Sequence, residues 1–342
     1  MNEYPNRLKE KLSSLIQELS ASPALFVKNP DKDFTRKRKL PFETVIQLLI
    51  SMGGNSVYKE LLESQGYDVN TATSAAFVQQ RDKILPIALE FLLHEFTQSY
   101  SDIKTYRGYR LLAADGSDLH IATNPADADT FYQNHPSEKG YNLLHLNAMY
   151  DLCNRFYINS LVQPRRCVNE GKALVHMVDR SCIHEKAILL ADRGFESYNN
   201  FAHLEQKGWN YAIRVKDLGS NGILSGFSLP YTGEFDISIQ RILTRKQTKE
   251  TKANPQIFRF LPRNSTFDFL DLESNMFYPI SFRIVRFKIT EDSYETIITN
   301  LDASDFPPLE LKKLYNLCWG IETSLCWSGP LCLDLLNLMT FD

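Results

Sequence analysis

The chain has 342 residues, 43% of them hydrophobic and 23% charged, and a formal net charge of −3. This is the composition of a folded protein with a sizeable core, and it excludes disordered, collagen-like and disulfide-scaffold classes. With 38 Lys and Arg against 41 Asp and Glu, a globally basic nucleic-acid coat is excluded, whereas a local basic patch is not.

Residues 1–108 read as helical. Leu8, Leu12, Leu15, Ile16 and Leu19 recur at helical spacing, as do Val45, Leu48, Leu49 and Met52. Pro41 and Phe42 open the second helix, Gly53-Gly54-Asn55 ends it, and a third long helix is expected over about Ala75–Tyr100. The polar start lacks the apolar core of a signal peptide, and no apolar run reaches the ~18 residues of a membrane span, so a cytoplasmic location is expected. The six cysteines form no C-x-x-C pair and read as reduced structural thiols.

From Tyr109 the pattern changes to strands. Tyr109–Ile121, Leu143–Asp151 and Arg155–Val162 are rich in Leu, Ile, Tyr and Phe, with polar turns between them. A helix over about Glu170–Ser181 follows. Ala187–Ala191 (AILLA) is wholly apolar, as expected of a strand buried on both faces. A helix at Tyr198–Lys207 and a strand at Asn210–Val215 complete an α/β layer pattern over 109–216. Residues 217–301 lose helical periodicity; Phe235–Leu243, Gln256–Phe260, Ile280–Ile289 and Tyr294–Thr299 predict an all-β insertion. A last helix is expected over Leu309–Leu325.

Phosphate-loop, dinucleotide-binding, serine-hydrolase and zinc-protease signatures are all missing from the sequence. What stands out is a set of carboxylates. Asp115 lies within or at the end of the first strand, in Leu-Leu-Ala-Ala-Asp-Gly-Ser, and Asp192 directly follows AILLA. Strand ends of α/β sheets are where ligands usually bind. An Asp following an apolar strand is costly to leave unpaired, and a shared cation would offset that cost. Glu322 lies on the last helix, with Tyr315, Cys318 and Trp319 at spacings expected to share its face. Hard oxygen ligands of this kind suit Mg²⁺ or Mn²⁺, which can serve phosphodiester chemistry. Taken singly, an Asp near a strand end is more often a turn or cap residue, and a lone Glu in a helix is usually a solvated face.

Two further groups carry a double reading. Arg36-Lys37-Arg38-Lys39 is a block of four positive charges that either neutralises DNA phosphates or lies in a solvated loop. Arg193, beside Asp192, either contacts phosphate or pairs with a surface acid.

The segments Ala191-Asp-Arg-Gly-Phe-Glu-Ser-Tyr-Asn199, Phe201–Tyr211 and Arg214-Val-Lys-Asp217 closely resemble the second-aspartate region of bacterial insertion-sequence transposases. The resemblance is to the DDE class with a β-strand insertion, the IS-four family. Ala114-Asp-Gly-Ser117 looks like its first-aspartate motif, and Leu314–Ser324 like its signature helix. The resemblance covers about residues 35–325. It implies a ribonuclease-H-like catalytic domain with an inserted all-β subdomain (217–301), preceded by a helical DNA-binding region (1–108), with the Glu-bearing helix at 302–325. It further implies catalysis and Mg²⁺ or Mn²⁺ binding by Asp115, Asp192 and Glu322, and DNA contacts by Arg36–Lys39, Arg193 and Tyr315. The expected partners are double-stranded DNA, both terminal repeats and target, and a second copy in a homodimeric synaptic complex.

The departures from the family pattern lie near the C-terminus. Where its signature has Arg this chain has Cys318, and where it has Lys this chain has Gly329. Residues 326–342 contain no Lys or Arg, and Gly329-Pro330 breaks the helix. This stretch reads as an aberrant tail, from a frameshift or a decayed copy, or else as a divergent short form. An active transposase, a remnant that binds terminal repeats or inhibits a full-length enzyme, and a sequence-independent metal nuclease are the three functional expectations.

Overall fold

The computed structural model describes residues 3–99, 102–135, 137–291 and 293–325; the expectation for 326–342 lies outside them. The protein is a mixed α/β molecule built on one large sheet. The N-terminal region carries helices α1 (Glu3–Ala21), α2 (Phe42–Ser51), α3 (Val57–Ser64), α4 (Ser74–Arg81) and α5 (Ile87–Gln98). Their apolar faces close a core of their own around Leu19, Val45, Ile46, Leu61 and Phe77. The third long helix expected over 75–100 is two helices, α4 and α5. Pro86 lacks the N–H a continuous helix would use. The intervening backbone bonds elsewhere, Leu85 N–H donating to Phe26 O (2.8 Å) and Lys28 N–H to Lys83 O (2.9 Å).

Strands β1 (Arg110–Ile121), β2 (Phe131–Tyr132), β3 (Tyr141–Asp151) and β4 (Phe156–Pro164) lead into α6 (Glu170–Asp179), β5 (Ala187–Ala191), α7 (Tyr198–Gln206) and β6 (Asn210–Val215). Then come β7 (Phe235–Thr244), α8 (Lys249–Ala253), β8 (Phe258–Phe260), β9 (Phe277–Lys288), β10 (Tyr294–Thr299) and α9 (Pro308–Asn316). The sheet order is β2-β3-β1-β5-β6-β10-β9-β7-β8, with β4 also paired to β3. The stretch expected as an all-β insertion supplies β7–β10, and these strands extend the central sheet instead of forming one of their own. It is not wholly β: Thr248 caps α8 with a reciprocal Thr251 capping box, which favours one helical turn in the expected loop.

Strand alternation sorts the core into two layers. Leu112, Ala114, Leu189, Ala191, Tyr211 and Ile213 face α6 and α7, where Leu174, Met177, Phe201 and Leu204 cover them. Leu111, Ala113, Ile188, Leu190 and Ala212 face the other way, under Leu311, Leu314, Tyr315 and Ile321. All five residues of β5 are fully buried, each Leu or Ile contributing roughly 1.5–3 kcal/mol by burial. The final helical segment is interrupted. After α9, bonds from Leu317 N–H to Leu314 O (3.1 Å) and Cys318 N–H to Tyr315 O (2.8 Å) tighten a turn at 317–318, and helix resumes over 319–325. The single helical face expected for Tyr315, Cys318, Trp319 and Glu322 is therefore divided between two helical pieces.

Candidate active site

Register and strand parity build the site. β1 and β5 run parallel and pair through Ala114↔Ala191, and β5 and β6 pair through Ala191↔Ile213. The next residue on each strand continues that row: Asp115, Asp192 and Arg214. Their parity is that of Leu111, Ile188 and Ala212, so all three face the layer covered by α9. Neighbouring strands lie about 4.8 Å apart, which sets the two aspartates side by side just where the apolar core stops. From above, Tyr315, Cys318, Trp319, Ile321 and Glu322 close a small cavity of about 40 Å³ that Asp115, Asp192 and Arg214 line from below. Roomier cavities lie elsewhere; this one is distinguished by its charge.

The two aspartates differ electrostatically. Burial foremost, joined by the carboxylates of Glu322, Glu170 and Asp192 and opposed by the pull of the Gly116 N–H (2.8 Å), pushes the Asp115 carboxyl up to about 6. Asp192 is also partly buried, but hydrogen bonds outweigh that cost and hold it below the usual carboxylate range. Arg214 Nε donates to its Oδ1 at 2.6 Å, as does the Arg193 backbone N–H. Arg214 Nη1 reaches Glu295 at 3.1 Å, so one guanidinium bridges two acids. Burial, then the neighbouring carboxylates, push the Cys318 thiol up to about 12. Cys318 is therefore a neutral, buried group at neutral pH.

Asp115, Asp192, Glu322 and Tyr315 thus share one cavity. The Tyr315 hydroxyl donates to Ala191 O (3.3 Å) and its ring is buried. The Arg193 side chain is exposed beside Asp192. Arg36, Lys37, Arg38 and Lys39 are exposed on the segment before α2, line no part of this cavity, and include one committed group, Lys39 Nζ on Asn70 O (2.7 Å). The sequence alone assigns no site role to Arg214, which follows the apolar Tyr-Ala-Ile within β6, nor to Glu170 and His145, which stand against Gly116, the residue after Asp115, from α6 and β3.

The donor set fits a hard divalent cation: three carboxylate residues on one cavity, one with its ionisation opposed by burial and by the others. The side chains are not drawn together as ligands. Among the described residues, no three His, Cys, Asp or Glu side chains stand as a group that could hold a metal ion. Asp192 is turned onto Arg214, and Asp115 onto Gly116.

No curated protein matches the chain. Among solved structures, the chain is similar to a piggyBac transposase in a synaptic complex with hairpin DNA, at 12% identity and a TM-score of 0.45. That similarity covers 86% of this chain and 62% of the piggyBac chain, so the protein spans less than two thirds of that structure's length. A family model, the transposase DDE domain, matches residues 106–337 and takes in the whole row of site residues. The chain belongs to the DDE transposase family.

Proposed function

We propose that the protein is a DNA transposase of the insertion-sequence type, with a ribonuclease-H-like catalytic domain that cuts phosphodiesters at the element's ends and joins them to target DNA. The observation that carries this reading is the in-register pair Asp115 and Asp192 beneath Glu322. Asp115, Asp192 and Glu322 would hold Mg²⁺ or Mn²⁺, which when bound activates the attacking oxygen and stabilises the leaving one. The chain's own residues do the rest. Ile321 and Leu314, both fully buried, fix the helical pieces that carry Glu322 over the sheet. Arg214 orients Asp192 and places a guanidinium at the cavity, the only Lys, Arg or His among the described residues lining it. Arg36–Lys39 and Arg193 would neutralise phosphates of double-stranded DNA, two copies would pair in the synaptic complex, and residues 1–108 would form the end-binding region.

A second reading, a binding-only remnant, is favoured by Cys318. Buried and neutral, it offers no planar fork to phosphate where the family signature has Arg. A strand-cleavage assay on duplex carrying the element's terminal repeat, with Mn²⁺, separates the two. Cleavage abolished by Asp115→Asn or Asp192→Asn supports the transposase. Specific binding without cleavage supports the remnant, and cleavage of any duplex alike would point to the nuclease. Neither binding nor cleavage would overturn all three.

A further inference from the structure

The fourth acid beside this centre is Glu170, the first residue of α6, a helix capped by Asn169 Oδ1, which accepts from Lys172 N–H at 2.9 Å. A glutamate in a first helical turn ordinarily needs no explanation beyond the helix dipole. This one is enclosed by the backbone that carries the two aspartates. Gly116 follows Asp115, and a Cβ there would run into His145 and come within 3.3 Å of Glu170 Oε1. Gly194 lies two residues after Asp192, and a Cβ there would stand 2.9 Å from Glu170 Oε2. Both oxygens of one carboxylate therefore rest against glycines, one on each aspartate-bearing segment, where any side chain would displace it.

Behind Glu170 stands His145 of β3, 5% exposed. Its Nδ1 is 2.7 Å from Asp118 Oδ1, on the residue register-paired with it across β1. Its buried Nε2 points at Glu170 Oε1 from 3.2 Å, a charge contact without the alignment of a full hydrogen bond. The contact with Glu170 foremost, then Asp118, outweighs burial and raises the imidazole's pKa, which favours a cation between two carboxylates. Arg165 Nε approaches the other oxygen of Asp118 at 3.7 Å.

We propose that Glu170 is a fourth carboxylate of the centre, a positioning residue that engages a divalent cation through its water shell and is itself aimed by His145. The inference rests on the metal-dependent reading given above. Residues of this outer kind typically carry a 10–100-fold effect on metal affinity.

Titration of the full chain with Mn²⁺, followed by calorimetry, tests it without any reference to activity. Glu170→Gln is expected to weaken Mn²⁺ binding about 10–100-fold, and Gly194→Ala, which keeps the carboxylate but pushes it aside, to weaken it in the same direction. Should Glu170→Gln fail to fold, Gly194→Ala decides alone. Wild-type affinity in both variants, with binding abolished in Asp115→Asn, overturns the role of Glu170 and leaves the metal reading standing. Absence of Mn²⁺ binding in the wild type, or binding indifferent to Asp115→Asn, overturns the metal reading and this inference with it.

Discussion

Asp115 and Asp192 occupy adjacent positions in one row yet carry opposite linkage to pH. Asp115 has a folded-state pKa raised to about 6. Its contribution to stability is therefore full below its unfolded value and is lost as pH rises through about 6. In chelator, Asp115→Asn is expected to raise Tm by several degrees at pH 7.5 and to change it little at pH 4; equal Tm at both pH values would remove burial and mutual repulsion as the cause. Asp192 has its pKa lowered, so the stability it contributes is present above its unfolded value and fades as pH falls through the folded one. Arg214→Gln deletes the guanidinium that bridges Asp192 and Glu295. A hydrogen bond to a charged group is worth roughly 1.5–3 kcal/mol, and partial exposure places this one at the low end. The expected result is a loss of stability at pH 7 that shrinks in acid, read as a difference in denaturant midpoint at the two pH values.

At the level of elements, the last helical segment, α9 together with 319–325, is interrupted. It is two short pieces joined by a turn at 317–318, held down by Leu311, Leu314, Cys318 and Ile321. Ile321 is fully buried, and Ile321→Ala should cost about 2–5 kcal/mol if folding is two-state. The effect on Mn²⁺ affinity should exceed that of an equally destabilising change in the N-terminal core, such as Leu61→Ala, because only the first loosens the support of Glu322. Equal effects would show that Glu322 is not placed by this packing. The turn itself was not legible in the sequence, since Leu-Tyr-Asn-Leu-Cys-Trp-Gly-Ile-Glu contains no proline and Gly320 alone does not announce a break. By contrast, AILLA and the strand before Asp115 were legible, because burial on both faces leaves an unbroken apolar run and its end is marked by charge. The partner of Asp192 was not. Arg214 reaches it through strand register, as His145 reaches Asp118, and register is set by tertiary pairing that a single chain pattern does not specify. The break between α4 and α5 is marked in the sequence by Pro86, although apolar residues continue at helical spacing across it; what the sequence does not show is that the backbone there pairs with a segment almost sixty residues earlier.

At the scale of the whole molecule, two cores must act together: the N-terminal helical core and the sheet. Arg180, just past α6, links them. It donates to Glu90 of α5 (2.5 Å), to Ser160 O of β4 (2.6 Å) and to Asn159. The family match begins at residue 106, so the helical region lies outside it, and the proposal that this region binds DNA rests on its charge. Arg36, Lys37, Arg38 and Lys39 are exposed together on one short irregular segment, with α2 starting just beyond. In a protein with a net charge of −3, four adjacent cations form a local field that acidic surface elsewhere would otherwise cancel. If that segment meets DNA phosphates, each phosphate it neutralises releases a condensed counterion and adds about 0.9 to the slope of log affinity against log salt. Replacing all four with Ala in the full chain should therefore weaken binding to terminal-repeat duplex. It should also flatten that slope by roughly 0.9 for every phosphate no longer neutralised, so by about 2–4 overall if at least two of the four touch phosphate. Arg180→Ala distinguishes direct binding from support: it leaves the basic block in place but unlinks the helical layer, so it should lower affinity less and leave the slope nearly unchanged. A slope unaltered by the fourfold Ala replacement would return residues 36–39 to the solvated loop, and would move the search for the end-binding surface to the sheet side, where Arg193 stands exposed beside Asp192.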